Sequence, residues 1–177
     1  FQIDMESLYR SFLRYLPDNA LILDLGCGSG RDTLAFKNKG YQVVATDYSK
    51  KLVDKASKLV GIDVRFESFY ELSELNLYDG IWACASLLHC ERKRLPEVIG
   101  KILAALTMNG ICYMSFKYGE KDRHKDGRDF TDLNELQIRN LLREFDNILL
   151  LQQWITIDKR PDHNEDWLNI VFQKMNK

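Results

Sequence analysis

The sequence predicts an α/β protein built on a mainly parallel sheet with helices packed against it. Short apolar runs alternate with stretches of helical spacing along the 177 residues, the order expected of strands joined by crossover helices. One run, Ala20-Leu21-Ile22-Leu23, leads into three glycines at alternate positions, Gly26, Gly28 and Gly30, before helical spacing begins near Arg31. A second run, Tyr41 to Thr46, ends at Asp47, twenty-one residues after Gly26. Strand, glycine turn, helix and a second strand closed by an acid make one βαβ unit whose turn can face a ligand.

In chain order, a helix is predicted over 4–16, where Met5, Leu8, Tyr9, Phe12, Leu13 and Leu16 repeat at helical spacing and Pro17 follows. The first strand is 21–25, and the helix after the glycine turn covers 31–39, stopped by Gly40. The second strand is 42–46. Ser49 is placed to cap a helix that runs to Val60 and ends at Gly61. Strands follow at 63–66 and 79–84. A helix over 91–107 accommodates Pro96 only in its first turn, where the missing N–H needs no partner. Asn109-Gly110 predicts a turn into a strand at 111–116. Residues 117–130 are polar and carry Gly119 and Gly127, which fits either a lid or a solvated loop. Thr131 or Asp132 is the expected cap of a helix to about Phe145. Strands at 148–157 and 167–174, joined by a turn near Arg160-Pro161-Asp162, complete the chain as a hairpin.

The length predicts a single domain over 1–177. A net charge of −1 gives no global basic field for nucleic acid, although a local patch stays open. Cys27, Cys84, Cys90 and Cys112 form no C-x-x-C pair and no zinc spacing, so no metal is expected and the thiols read as buried and reduced in a cytoplasmic protein. With no long apolar run and no signal peptide, neither a membrane span nor export is expected.

The glycine turn decides the function class. Glycines let the backbone turn sharply and let a ligand come close to it, and the free N–H groups of a helix start face that ligand. An acid some twenty residues further on suits two ribose hydroxyls. Dinucleotide sites space their glycines G-x-G-x-x-G around a pyrophosphate. Here the spacing is G-x-G-x-G with Asp24 ahead of it. An acid at that mouth repels a pyrophosphate and suits an ammonium. Ligands of an open parallel sheet bind outside the carboxyl ends of its strands. That edge gathers Gly26, Cys27, Gly28 and Gly30 after the first strand, Asp47 and Tyr48 after the second, Ser68, Phe69 and Tyr70 after the third, and Cys84, Ala85 and Ser86 after the fourth.

The string Leu23-Asp24-Leu25-Gly26-Cys27-Gly28-Ser29-Gly30 resembles the first motif of the class I S-adenosylmethionine (SAM) methyltransferases, and the likeness extends over roughly residues 5–175. The resemblance implies a Rossmann-like three-layer sandwich with a mainly parallel seven-stranded sheet and an antiparallel terminal hairpin strand. It implies SAM as cofactor and S-adenosylhomocysteine as its product. Asp24 and the Gly26 turn would hold the methionine part, Asp47 the ribose, Phe69 the adenine, and the carbonyl of Cys84 or Ala85 the ammonium. Tyr48 and Phe69 are alternatively core aromatics. Arg31 either pairs with Asp32 or meets the ligand carboxylate.

Candidate catalytic residues are His89, just past the fourth strand, and Lys117 and Arg128, which flank the polar stretch. His89 either takes a proton or caps and packs. The tryptophans Trp154 and Trp167 near the terminal hairpin read as packing or as substrate platforms. After the fourth strand there is no Pro-Pro-Tyr motif, there is no Pro-Cys pair, and no target-recognition domain fits the length. A small-molecule acceptor is therefore the default. With Ser86-Leu87-Leu88-His89 added, the closer resemblance is to small bacterial methyltransferases of the tellurite-resistance type. Chalcogen oxyanions are one acceptor candidate, and Arg31, Lys117 and Arg128 would attract an anion. The competing readings are an RNA or protein methyltransferase guided by a partner, a SAM-binding module without turnover, and an NAD-binding dehydrogenase. The oligomeric state is left open.

Overall fold

The computed structural model describes residues 5–157 and 165–176. Helix α1, Met5–Leu13, buries Leu8, Tyr9 and Phe12 along one stripe. It stops short of Leu16 because the last turn tightens, with Tyr15 N–H donating to Phe12 O and Leu16 N–H to Leu13 O, ahead of Pro17, which disfavours helical backbone at the residue before it. Strand β1, Leu21–Leu25, lies between β2, Gln42–Asp47, and β4, Tyr78–Ala83, and is parallel to both. Helix α2, Arg31–Asn38, joins β1 to β2. Helix α3, Lys50–Val60, is capped by Ser49, which accepts from Leu52 N–H, and closes at Gly61 in the left-handed region, both as the sequence predicts.

Strand β3 is only Arg65–Phe66, because Val64 N–H donates to Ser57 Oγ of α3 at 3.1 Å and the Val64 side chain is buried under that helix. Helix α4, Leu95–Ala105, begins later than expected: Arg92–Arg94 form a single 3₁₀ turn, and Pro96 stands in the first helical turn. It runs straight into β5, Leu106–Lys117. Three extra residues of β5 are absorbed between its pairings of Leu106 with Tyr78 and Ile111 with Gly80, and Asn109 takes a φ of 63° there, so the expected turn survives as a bulge inside a longer strand.

The polar stretch is neither plain loop nor open lid. It folds as a hairpin of β6, Asp122–Lys125, and β7, Arg128–Thr131. Asp126 and Gly127 have φ of 53° and 74°, the double left-handed turn that Asp-Gly supplies between twisted strands. Helix α5, Glu135–Leu142, is capped by Asn134 in a reciprocal box with Gln137, not by Thr131 or Asp132, and it ends before Phe145. Thr131 instead closes β7, and Asp132 is paired with Arg123. Strands β8, Ile148–Thr156, and β9, Trp167–Lys174, form the antiparallel terminal pair. The predicted turn at Arg160-Pro161-Asp162 lies outside the described residues.

The seven strands are ordered β3-β2-β1-β4-β5-β9-β8, with β9 antiparallel to β5. Alternate residues feed opposite faces. Leu23, Ile81, Met114 and Ile170 face the core under α4 and α5, whereas Ile22, Trp82, Tyr113 and Val171 face α1 and α2. Trp82 stacks on Tyr113 with ring centroids 3.9 Å apart, and Tyr9, Phe12 and Phe36 crowd its other side. The result is a Rossmann-like three-layer sandwich. All four cysteines are free thiols, and Cys27, Cys90 and Cys112 are buried. Among the described residues no helix is long and apolar enough to cross a membrane.

Candidate functional site

The site lies at the carboxyl edge of β1, β2 and β4. Thr46 O accepts from both Gly26 N–H and Cys27 N–H at 2.9 Å, which clamps the start of the turn onto β2. Gly26 has a φ of 81°, and a Cβ there would collide with that of Ser86, so glycine is required twice over. Gly28 has a φ of 57° with open space where a Cβ would be. Its N–H donates to Asp47 Oδ2 at 2.8 Å, and Ser49 N–H donates to Asp47 Oδ1 at 2.9 Å. Each carboxylate oxygen thus holds one backbone donor and keeps a lone pair for another.

A cavity of about 840 Å³ opens over this turn. Its floor is Gly26, Gly28 and Asp47, one side is Tyr48, Ser49 and Leu52, and the far wall is Glu67 to Glu71. That wall is held by Ser68, whose Oγ accepts from Tyr70 N–H while its own N–H donates to Glu71. Tyr48 is no core aromatic: it is 69% exposed and stacks flat on Phe66 at the rim. Phe69 both lines the cavity and packs on the core beneath α4. Ser86 forms part of the near wall, and its Oγ is buried with no hydrogen-bond partner among the described residues.

A second chamber of about 350 Å³ adjoins it, and Ala85, His89 and Arg128 line both. Cys84, Tyr113 and Ser115 form its inner wall, Phe130 and Trp167 its sides, and Met5 and Leu8 of α1 its cover. Ala85 sits at the junction with a φ of 51°, a strained conformation for a residue with a Cβ, while its N–H donates to Ser115 Oγ at 2.8 Å. His89 Nδ1 lies 2.9 Å from the carbonyl oxygen of Asp129. A carbonyl only accepts, so Nδ1 carries a proton, and in the neutral ring the lone pair falls on Nε2. The β6–β7 hairpin therefore sets the tautomer of His89, and Phe130 packs against its ring at 4.9 Å.

The three cations differ. Arg31 lines the second chamber but is paired with Asp32 at 2.7 Å. Lys117 is paired with Glu165 and lies over the Trp167 ring. Arg128 has no hydrogen-bond or ion-pair partner for its side chain among the described residues.

Asp24, Cys27 and Gly30 stand behind the cavity wall rather than on it. Asp24 is buried and accepts from Thr33 Oγ1 at 2.6 Å. Burial pushes its carboxyl up to about 8, and the neighbouring Asp32 adds to the rise. Asp32 accepts from Tyr9 Oη at 2.7 Å and from Trp82 Nε1 at 2.8 Å. Burial also raises the Cys27 thiol to about 12, with Asp24 and Asp47 contributing. Gly30 is the N-cap of α2, where a Cβ would press on Ala56 and Val60.

The structure thus brings Gly26, Gly28, Asp47, Tyr48, Ser68, Phe69, Ala85, His89 and Arg128 to one cavity, and Arg31, Cys84 and Lys117 to its neighbour. Reading the sequence missed Leu52, Glu67, Glu71 and Asp129 on the first and Met5, Leu8 and Tyr113 on the second. Glu67 follows a strand end and was within reach of that rule. The part played by α1 carried no local signal, since its packing over the chamber is tertiary. Among the described residues no cluster of His, Cys, Asp or Glu is arranged to hold a metal.

A family model described as a methyltransferase domain matches residues 22–110. The magnesium-protoporphyrin O-methyltransferase of Rhodobacter capsulatus is 30% identical over 53% of this chain and 44% of that protein. The probable S-adenosyl-L-methionine-dependent methyltransferase TehB of Haemophilus influenzae is 25% identical over 64% of this chain and 48% of that protein. The chain spans about half the length of the curated relatives it matches. Among solved structures, the 1,6-didemethyltoxoflavin-N1-methyltransferase of Burkholderia thailandensis, with 1,6-didemethyltoxoflavin and S-adenosylhomocysteine bound, superposes with a TM-score of 0.81. It is 23% identical, over 97% of this chain and 78% of that one, which is a likeness of fold.

Proposed function

Because the chain belongs to the methyltransferase-domain family, we propose that it is a SAM-dependent methyltransferase acting on a small-molecule acceptor. The observation that carries the reading is Asp47, whose two oxygens organise the Gly28 and Ser49 N–H groups at the floor of a cavity that opens into a second chamber.

The donor set fits the cofactor. Asp47 offers one free lone pair per oxygen to a pair of ribose hydroxyls. Gly28 leaves open space where the backbone meets the methionine part, and the orphaned Ser86 Oγ offers a hydrogen bond beside it. Phe69 and Ser68 flank the adenine end, Tyr48 covers the rim, and the carbonyls of Cys84 and Ala85 take the ammonium. When bound, SAM supplies a methyl group already activated on a sulfonium sulfur.

The chain's own residues then do three things. The second chamber holds the acceptor against the junction at Ala85, where alignment for in-line attack does most of the work. His89, with Nδ1 committed to the Asp129 carbonyl, presents Nε2 to accept the proton of an O–H or N–H acceptor. Met5, Leu8, Phe130 and Trp167 give the reacting pair apolar surroundings. The small volume of the chamber and its cover by α1 favour a small molecule over an RNA or a protein side of the reaction.

Titration calorimetry with SAM, S-adenosylhomocysteine and NAD tests the proposal. The expected result is binding of the first two at about micromolar Kd with none for NAD. Failure of both SAM species to bind overturns it.

A further inference from the structure

We propose that the acceptor is an aromatic acid, a one- or two-ring hydroxyarene bearing a carboxylate, held by Arg128. The inference rests on the methyltransferase reading above and names the substrate class of the same site.

Two observations carry it. The first is charge. Arg31, Lys117 and Arg128 line the second chamber, and among the described residues no Asp or Glu does. Asp32 already pairs with Arg31, and Lys117 pairs with Glu165, which it shares with Arg123. Arg128 alone of the three lacks such a partner among the described residues, and it stands where the two chambers meet. A guanidinium there matches a carboxylate through two parallel hydrogen bonds. It is presented on the first residue of β7, directly after the Asp126-Gly127 turn, so its backbone is held by the hairpin ladder.

The second is shape. Tyr113, Phe130 and Trp167 supply the apolar walls. Tyr113 is locked by its stack on Trp82 and by its hydroxyl, which donates to Asn169 at 2.7 Å. Flat, rigid walls around a space of about 350 Å³ suit a ring system of one or two fused rings. Arg128 and His89 share the junction, so the anionic group and the reacting hydroxyl lie toward the same edge of that ring.

The test is binding, measured calorimetrically on the intact chain saturated with S-adenosylhomocysteine. The probes are salicylate and hydroxynaphthoate, their uncharged amides, and selenite as an inorganic anion. The acids are expected to bind about tenfold more tightly than the amides. Arg128→Met should erase that difference, Arg128→Lys should keep part of it, and the melting temperature should not move in either variant. Equal binding of acid and amide, or no binding of either by a chain that binds S-adenosylhomocysteine, overturns the aromatic acid and leaves the methyltransferase reading standing. Arg128-dependent binding of selenite without the aromatic acids also overturns it. A chain that binds no S-adenosylhomocysteine overturns both readings together.

Discussion

Gly28 and Asp47, nineteen residues apart, are joined by a hydrogen bond of 2.8 Å from the glycine N–H to the carboxylate. The turn after β1 and the acid after β2 are therefore one rigid unit before any ligand arrives. Asp47→Ala should weaken SAM binding by about 1–3 kcal/mol, because it removes charge-assisted acceptors and releases two backbone donors. Asp47→Asn, which keeps one acceptor oxygen, should fall between. Calorimetry on the three proteins checks the order, and an unchanged affinity in Asp47→Ala would remove this residue from the site.

The glycines of the turn should separate stability from binding. A Cβ on Gly26 meets Ser86, whereas one on Gly28 meets nothing within 4 Å. Gly26→Ala should cost about 2 kcal/mol or more through overpacking and left-handed strain. Gly28→Ala should cost about 1 kcal/mol of strain alone, yet it should weaken SAM binding because its methyl enters the ligand's space. Urea melts and titrations on both variants distinguish the two effects.

For His89 the expectation is a split between binding and turnover. His89→Ala should leave SAM affinity nearly unchanged and lower kcat about 10²–10⁴-fold for an acceptor that holds its proton at neutral pH. Turnover equal to that of the parent would make His89 a packing residue against Phe130.

Asp24 should make stability fall as pH rises. Its carboxyl is pushed up to about 8 by burial, with Asp32 adding to the rise; an unfolded aspartate titrates near about 4. Between these values the folded chain holds a proton that the unfolded chain has lost, so stability declines by at most about 1.4 kcal/mol per pH unit. It is full below about pH 4 and lost as pH passes through about 8. Asp24→Asn should flatten the melting temperature across that window, and a slope equal to the parent's would count against this assignment.

The βαβ unit was legible because its signals are local. Ser49 and Gly61 bracket α3, the glycines mark the turn, and Asp47 closes β2. Other signals were present and outweighed by their surroundings. Asp126-Gly127 marks a hairpin, but the charged residues around it read as solvated chain. Asn134 and Gln137 have capping-box spacing, but Thr131 and Asp132 precede them and offer the same chemistry. What no local pattern encodes is the meeting of distant segments. The second chamber needs α1, the tail of β5, the hairpin and the start of β9 together. Each of those faces reads in the sequence as an ordinary apolar or polar surface. Asp24 looked like a ligand contact from its place in the motif, while its burial behind the turn follows from Thr33 on α2 reaching back to it.

The reversal of β9 has a consequence for how such a protein changes over time. A strand running opposite to its neighbours brings its first residues, Trp167 and Asn169, to the edge where the others end. The second chamber thereby draws about half of its wall from residues 113 to 169, while the cavity over the glycine turn is built largely from residues 26 to 86. On the proposed methyltransferase reading, drift in one stretch of the gene can rework what is modified and leave the methyl donor's seat intact, so new specificities are reachable without passing through an ancestor that has lost its cofactor.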